Sequence, residues 1–498
     1  MRLFLSLFLV IGVSFPLISS AKLHKRPTLI RLTAEEIDLP AGEKMGLLGS
    51  SYLIRLNRYV YTGFGVYSAV SGQRGGFFTG GLDTGVKFGL SKKLELDASL
   101  FIGGGGGGAA PQGGGLMLRP QIGLLYKTAI GKIGFQVSQV RFPNGDISSN
   151  QLALTYEQPL SMILSSNWLS GARTGDLSNK YRPDEQDFSV LAQRYRLPAG
   201  TRNTGGNIQD KTMSLIGVEW DTLFGKHGFM RLQTLGSLGG NSDGYASVLI
   251  GLGYRYPVTP KTEFKLAGSL GASGGGGVDT GGGFTESVSL NVQHRFGNGL
   301  LLGAKAGYLN APGGDFSATS YALYFGKSDR APVGKTLATS HLKPRHWRLR
   351  IAHQTYLTTG DTRRKSQTIP DNRNVDLFGI QTDVFFNKNY YLTGQAMGAY
   401  DGGAGGYASG MIGAGLIRPL WKNSRMFMNA EVLVGAAGGG GLAVGDGLVG
   451  QMIVGVGYRT SRSTSLILSY GKIKSKGGNF EADVLNLNFG FRYTTLSW

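Results

Sequence analysis

The chain has 498 residues, and its composition excludes several classes of protein. It contains no cysteine, so it has no disulfide framework, zinc–thiolate site or thiol nucleophile. Its 82 glycines disfavour helix, while the 16 prolines and the aromatic content of 10% are not those of a disordered Gly/Pro polymer. The net charge of +20 favours anionic partners, such as nucleic acid, lipid phosphates, acidic polysaccharide or small anions.

Residues 1–21 predict a secretory signal peptide. Arg2 supplies the positive end, Leu3 to Leu17 form the apolar run, and Ser19-Ser20-Ala21 form a small-residue cleavage site. An N-terminal membrane anchor is the alternative, but the apolar run is shorter than the ~20 residues that a spanning helix needs.

Three glycine runs recur along the chain in register with three later turns. A spacing of 169 and then 164 residues separates both the runs and the turns, which indicates an internal triplication. The predicted repeats cover about 28–186, 187–345 and 346–498. The glycine runs are 105–108, 274–277 and 438–441, and the turns are Asn144-Gly145-Asp146, Gly313-Gly314-Asp315 and Gly477-Gly478-Asn479.

Within each repeat, apolar and polar residues alternate with a period of two. In the middle repeat, Phe264, Leu266 and Leu270 share one parity, while Glu263 and Lys265 share the other. This pattern predicts strands whose two faces meet different environments. The predicted strands of the middle repeat are 187–197, 211–223, 227–238, 245–256, 261–272, 284–295, 299–309 and 317–327. Eight strands in each repeat predict 24 in the chain.

The connections between predicted strands alternate between short turns and longer loops, and the loops carry the glycine runs. The connections between repeats, near 158–186 and 328–346, are exceptions because they are long on the short-turn side. Aromatic residues cluster beside the short turns, which predicts an aromatic girdle at a membrane–water interface. These are Tyr59, Tyr61, Phe224, Phe229, Tyr254, Tyr256, Phe296, Phe385, Phe386, Tyr390, Tyr391, Trp421 and Tyr458.

With its signal, alternating strands, turn–loop asymmetry and terminal aromatic Trp498, the mature chain resembles the porin-like bacterial outer-membrane β-barrel superfamily. Trp498 departs from the usual pattern, because it is out of phase with Phe489, Phe491 and Tyr493. The resemblance implies an all-β transmembrane antiparallel barrel in the bacterial outer membrane, in contact with lipid and lipopolysaccharide.

The polar parity supplies the candidate lumen residues, and the loops supply a second set. A lumen with a positive surplus would favour anions, whereas a ladder of salt bridges would only stabilise the inner wall. The lumen candidates are Lys265, Arg295, Arg348, Arg350, Arg459, Glu95, Asp97, Glu263 and Glu431, with Arg492 on the same parity. The loop candidates are Gly105, Gly274, Gly438, Asp146, Asp315 and Asn479.

Other chemistries find little support in the sequence. The six histidines show no metal-ligand spacing and no recognisable catalytic constellation, so we expect neither an enzyme nor a metal or cofactor site. The glycine runs lack the Lys-Ser/Thr ending of a phosphate-binding loop. A nucleic-acid partner is not expected, because the chain lacks a basic aromatic stripe.

Two functions remain open at this point. The first is an outer-membrane channel or export conduit for anionic solutes or polymers. The alternative is a structural barrel, closed by glycine-rich loops, that anchors a larger assembly and meets periplasmic proteins through 158–186 and 328–346. We expect a single 24-stranded barrel over 22–498 rather than three eight-stranded barrels, because small residues such as Gly303, Ala304, Ala306 and Gly307 suit a gently curved wall.

Overall fold

The computed structural model describes residues 24–165, 184–330, 342–358, 373–422 and 424–497. The predicted signal peptide, Trp498 and much of the two long inter-repeat connections lie outside these residues. The described chain forms 24 β-strands and one short 3-10 helix, Pro40–Gly42. Within the described ranges, none of the helical structure has the length and apolar character needed to cross a membrane.

The first eight strands close into a barrel of their own, here called the first barrel. Every neighbouring pair is antiparallel, and β8 returns to β1 with Glu35 opposite Ala153. The strands are β1 His24–Asp38, β2 Lys44–Arg55, β3 Val60–Ser71, β4 Phe78–Gly89, β5 Leu94–Gly106, β6 Met117–Lys127, β7 Lys132–Arg141 and β8 Ser148–Ser165.

The second barrel follows the same plan. Its last strand pairs with its first, with Ala322 opposite Gln193. The strands are β9 Gln186–Arg196, β10 Thr212–Phe224, β11 Gly228–Gly239, β12 Ala246–Pro257, β13 Thr262–Gly274, β14 Phe284–Arg295, β15 Leu300–Asn310 and β16 Ser317–Asp329. These bounds match the eight strands predicted for the middle repeat to within two residues.

The third barrel contains the remaining strands. It closes between β17 and β24, where Arg350 lies opposite Gly490. The strands are β17 Lys343–Thr358, β18 Val375–Phe385, β19 Tyr390–Asp401, β20 Ala408–Pro419, β21 Met426–Gly438, β22 Leu448–Tyr458, β23 Thr464–Ser475 and β24 Glu481–Ser497.

The expectation of one 24-stranded barrel over 22–498 is therefore wrong. Each eighth strand pairs with the first strand of its own barrel, so each group of eight strands closes on itself. The first and third barrels share one short ladder, in which Ser165 pairs with Thr494 and Leu164 with Thr495.

The small residues in the barrel walls are not explained by gentle curvature of the sheet. A Cβ at Gly303 would lie 2.3 Å from the ring of Tyr324, and one at Gly457 would lie 2.2 Å from the ring of Phe427. Side chains fill the interior of an eight-stranded barrel, so inward-facing glycines make room for the aromatic rings. Inward-facing glycines such as Gly303, which suggested a wide barrel, are therefore needed in a narrow one to accommodate the rings.

The predicted division of faces is confirmed. Phe264 is 44% exposed on the outer surface of the second barrel, while its neighbour Lys265 is 0% exposed inside. The outer surface of all three barrels carries exposed Leu, Val, Phe and Tyr side chains. Most of the predicted aromatic girdle also lies on this surface. Four of its members point into the interiors instead, namely Tyr61, Phe229, Phe385 and Tyr391.

Candidate functional site

The interior of each barrel contains an aromatic ring with cations over its face. The guanidinium of Arg31 lies 4.9 Å from the Tyr61 ring centroid in the first barrel. In the second barrel, Lys265 lies 5.3 Å from the Phe229 ring. Such contacts stabilise a buried cation that has left water. They explain why these rings lie in the interior, although they stand beside the short turns.

In the first barrel, Arg31 is the centre of a buried ionic network. Its Nη2 atom donates to Asp97 Oδ2 at 2.8 Å and to Glu157 Oε1 at 2.7 Å. It also donates to the hydroxyl of Tyr61 at 2.9 Å. Lys87 donates to the other oxygen of Glu157. A separate pair joins Arg119 to Glu35 at 2.6 Å nearer the loops.

The second barrel has an equally connected network around Lys265 and Arg231. Lys265 Nζ lies 2.8 Å from Asp187 and 2.9 Å from Asp221. Arg231 Nε donates to Asp221 at 2.8 Å. Arg330, just beyond β16, extends its side chain back into the lumen and bonds Glu263 at 2.7 Å and 2.9 Å. Positive and negative groups alternate, so each buried charge is compensated.

The network of the third barrel is centred on Asp383 and Glu431. Arg348 Nε donates to Asp383 at 2.6 Å, and Arg350 Nη2 donates to the other oxygen of Asp383 at 2.6 Å. Arg350 also lies 2.7 Å from Glu431. Glu431 additionally accepts a hydrogen bond from the Tyr391 hydroxyl at 2.6 Å. Arg492 faces the same interior.

The lumen candidates fall into two groups. Lys265, Arg348, Arg350, Asp97, Glu263 and Glu431 are buried inside the barrels. Glu95 lies near the short-turn end, bonded to Lys132, and Arg295 and Arg459 are half-buried at the same end. The structure brings together members of one barrel only, such as Lys265 with Glu263 at 3.6 Å.

Several residues at the centres of these networks were not among the candidates. Arg31, Asp187, Asp221, Arg231 and Asp383 lie at the middle of the ion pairs. Each stands on the inward parity of its strand, so the alternation could have identified it. Their partners could not be read from the sequence, because Arg31 and Glu157 are 126 residues apart.

The glycine runs lie where one barrel touches the next. Between the first and second barrels, the amide of Gly75 donates to the carbonyl of Gly281 at 2.8 Å. Between the third and first, Gly406 donates to the candidate Gly105 at 3.1 Å. Between the second and third, a Cβ at the candidate Gly438 would lie 2.2 Å from the amide nitrogen of Gly244.

These three contacts form a closed ring. The loop between the third and fourth strands of each barrel meets the loop between the fifth and sixth strands of the next. The candidate Gly274 shows why glycine is needed there, because its φ is +145° and a Cβ would lie 2.4 Å from the amide nitrogen of Gly76. Backbones can approach this closely only where neither has a side chain.

The remaining loop candidates lie away from the inter-barrel contacts. Asp315 accepts a hydrogen bond from the amide of Arg202 at 2.7 Å, which ties two loops of the second barrel together. The amide of Asp146 donates to the carbonyl of Pro111 at 2.9 Å in the first barrel. Asn479 is exposed beside Gly478 in the third. In the described ranges, His, Asp and Glu side chains form no group suited to a metal ion.

The outer wall also contributes to the contact between the first and third barrels. Leu82 of β4 packs in one buried cluster with Ile351, Phe378, Tyr400 and Phe489 of the third barrel. This explains why Phe489, which faces outward from its own barrel, is buried. Burial of apolar side chains therefore stabilises the ring together with the backbone contacts.

A cysteine cross-link would test this arrangement. A Cβ at Gly236 of β11 would lie 2.8 Å from the Cβ of Ala436 of β21, slightly closer than a disulfide requires. We expect the double variant Gly236→Cys/Ala436→Cys to form an intramolecular disulfide, because the chain has no other cysteine. Formation of the disulfide is measured by the mobility of the denatured chain on a non-reducing gel. The negative control is Gly236→Cys/Leu252→Cys, within the second barrel, which should not cross-link. Absence of the disulfide in Gly236→Cys/Ala436→Cys would contradict the ring.

Comparisons with known proteins give no family. No protein-family model and no curated protein matches the chain. A designed transmembrane β-barrel is 11% identical, with a TM-score of 0.20, over 30% of this chain and 98% of its own. A mutant of the ferric enterobactin receptor PfeA of Pseudomonas aeruginosa is 8% identical, with a TM-score of 0.28. The match covers 94% of this chain and 80% of the receptor chain. OccK11 (OpdR) of the same organism is 13% identical, with a TM-score of 0.21. The match covers 95% of this chain and 96% of the OccK11 chain.

At these identities and TM-scores the likenesses carry no argument about function. The architecture is established by this chain itself. Its antiparallel sheets close without edges, its outer faces are apolar, and short turns alternate with longer loops. These are the requirements of a strand-built protein in a bilayer. The chain thus forms three closed antiparallel β-barrels whose apolar outer faces suit a bilayer.

Proposed function

We propose that this protein is a structural protein of the outer membrane, in which three filled barrels form one rigid anchor for a larger assembly. The filled interiors support the proposal most directly. One buried ion pair in each barrel joins the first strand to the fifth, on the far side of the lumen. These pairs are Arg31 with Asp97, Lys265 with Asp187, and Arg350 with Glu431. Such pairs close an eight-stranded barrel to solutes.

The ring of contacts between barrels supports the same proposal. A protein that only needed three pores would gain nothing from packing them together through glycine backbones. A ring of three barrels within one chain fixes the relative position of three loop surfaces, which suits the presentation of a composite face to a partner. The expected periplasmic contacts through 158–186 and 328–346 remain a prediction, since most of these residues lie outside the described ranges.

Electrical recordings would test the proposal. The full-length protein, inserted into planar bilayers, should produce no lasting conductance steps, because paired side chains occupy the lumens. A large porin inserted in the same membranes provides the positive control, and a heat-dependent gel shift shows that the protein is folded. Stable, ohmic steps from the folded protein would contradict a closed anchor.

A channel remains the second candidate, and the third barrel is the observation that favours it. The amide side chains of Asn486 and Asn488 are buried there without hydrogen-bond partners among the described residues. Polar atoms in this state indicate a hydrated interior. If currents appear, a KCl gradient should show that chloride is preferred, and Arg459→Glu should shift the reversal potential towards potassium.

A further inference from the structure

The short turns of the three barrels form one end of the molecule. The ring of loop contacts places the three long-loop ends side by side, so the nine short turns within the barrels lie together at the opposite end. These turns contain ten Lys and Arg residues and no Asp or Glu. They are 56–59, 90–93, 128–131, 225–227, 258–261, 296–299, 386–389, 420–425 and 459–463.

The loops at the opposite end have a different charge balance. Between the strands there, the sequence contains nine Asp and Glu residues and eight Lys and Arg residues, so the charges of the loops nearly cancel. The positive surplus of the connecting segments is thus concentrated on the short turns. A charge needed only for solubility would not require this separation between the two ends.

Nine of the ten basic side chains on the short turns are exposed, and Arg459 is half-buried. A carboxylate at this end of the first barrel, Glu95, is bonded to Lys127 and Lys132, which belong to strands. In the part of the chain that the structure describes, none of the nine exposed cations forms an ion pair. The nine are Arg58, Lys92, Lys93, Lys226, Lys261, Lys388, Lys422, Arg425 and Arg462.

Large aromatic side chains accompany these cations on the same turns. Tyr59 follows Arg58 and is 45% exposed, while Trp421 precedes Lys422 and is 64% exposed. Phe386, on another short turn, is 68% exposed. Exposed rings are unfavourable in water but suit the boundary between acyl chains and headgroups. The rings therefore place the neighbouring cations at the level of the lipid headgroups.

We propose that the short-turn end is a binding surface for anionic phospholipids of the leaflet that it meets. The group recognised is the lipid phosphate, which exposed Lys and Arg side chains attract at a membrane surface. Their long stems remain among the apolar rings while the charged ends reach the phosphates. An acidic soluble macromolecule fits less well, because the aromatic side chains beside the cations would then remain in water. The proposal goes beyond the anchor and does not depend on it, since lipid selection requires neither a closed nor an open lumen.

Spin-labelled lipids would test this surface in the full-length protein. The protein is reconstituted in phosphatidylcholine vesicles that contain a trace of spin-labelled phosphatidylglycerol or spin-labelled phosphatidylcholine. Electron spin resonance then measures the share of each label that the protein immobilises. At low salt, phosphatidylglycerol should be enriched about threefold over phosphatidylcholine, because each cation near the surface favours an anionic headgroup by up to about fivefold. In 1 M sodium chloride the Debye length is about 3 Å, and the enrichment should fall below about 1.5-fold.

Two matched sets of substitutions separate the surface from the net charge of the chain. The short-turn set should lower the enrichment by at least about half. It combines Lys92→Gln, Lys93→Gln, Lys226→Gln, Lys261→Gln, Lys388→Gln and Lys422→Gln. The loop-end set removes the same number of exposed positive charges at the other end and should leave the enrichment unchanged. It combines Lys44→Gln, Arg202→Gln, Lys211→Gln, Lys472→Gln, Lys474→Gln and Lys476→Gln. The heat-dependent gel shift shows that each variant is folded.

Equal losses of enrichment in the two sets would overturn the proposal, because they would assign the selection to net charge. A parent protein that shows no preference for phosphatidylglycerol, or a preference that survives the short-turn set, would also overturn it. If the short-turn set fails to fold, Lys92→Gln/Lys226→Gln/Lys388→Gln removes one exposed lysine from each barrel and should still lower the enrichment by about a third. Stable conductance in planar bilayers would contradict the closed anchor without changing the lipid selection, so the two proposals fail separately.

Discussion

Replacing Arg31 by methionine should lower the free energy of unfolding by about 3–5 kcal/mol. The substitution removes the partner of Asp97 and Glu157, which are both buried in the first barrel. Lys87 alone cannot compensate the carboxylates that remain. A lower urea midpoint for refolding in detergent, read from the heat-dependent gel shift, measures the effect.

Two variants separate the loss of the ion pairs from the loss of an arginine. Arg58→Met alters an exposed side chain on a short turn, over the ring of Tyr59, and should change the stability by less than about 1 kcal/mol. Arg31→Met/Glu157→Gln should be less destabilised than the two single variants predict together, because the charges are removed in a pair. Equal midpoints for Arg31→Met and Arg58→Met would show that the network contributes little.

Replacing Gly244 by valine should weaken the contact between the second and third barrels by about 2–3 kcal/mol. A Cβ there would lie 2.7 Å from the amide nitrogen of Gly439, and this atom belongs to backbone that cannot rotate away. In the background of Gly236→Cys/Ala436→Cys, the substitution should slow disulfide formation more than tenfold, while each barrel remains folded.

The matched control for this prediction is Gly200→Val. Gly200 has a φ of +88°, almost that of Gly244 at +85°, but a Cβ at Gly200 would have no atom within 4 Å. Both variants therefore carry the same backbone strain, and only Gly244→Val meets a neighbouring barrel. Cross-linking that falls equally in the two variants would assign the effect to strain rather than to contact between barrels.

Much of the wall could be predicted from the sequence. The alternation of Phe264 and Leu266 with Glu263 and Lys265 repeats a local rule, because successive residues of a strand point to opposite faces. The strand bounds of the second barrel followed from the same rule. The inward direction of Tyr61 follows from parity too, although its position beside a short turn suggested an interfacial girdle.

What the sequence by itself determined is therefore local: the strands, their two faces and the alternation of turns with loops. The tertiary structure decided which strands close together, because the hydrogen-bonding edge of β8 is equally able to pair with β1 or β9. It also decided which charges meet, since Arg31 and Glu157 become neighbours only when the first barrel closes. The contacts of Gly105 and Gly244 depend on the approach of whole barrels, and no periodicity within one strand encodes that approach.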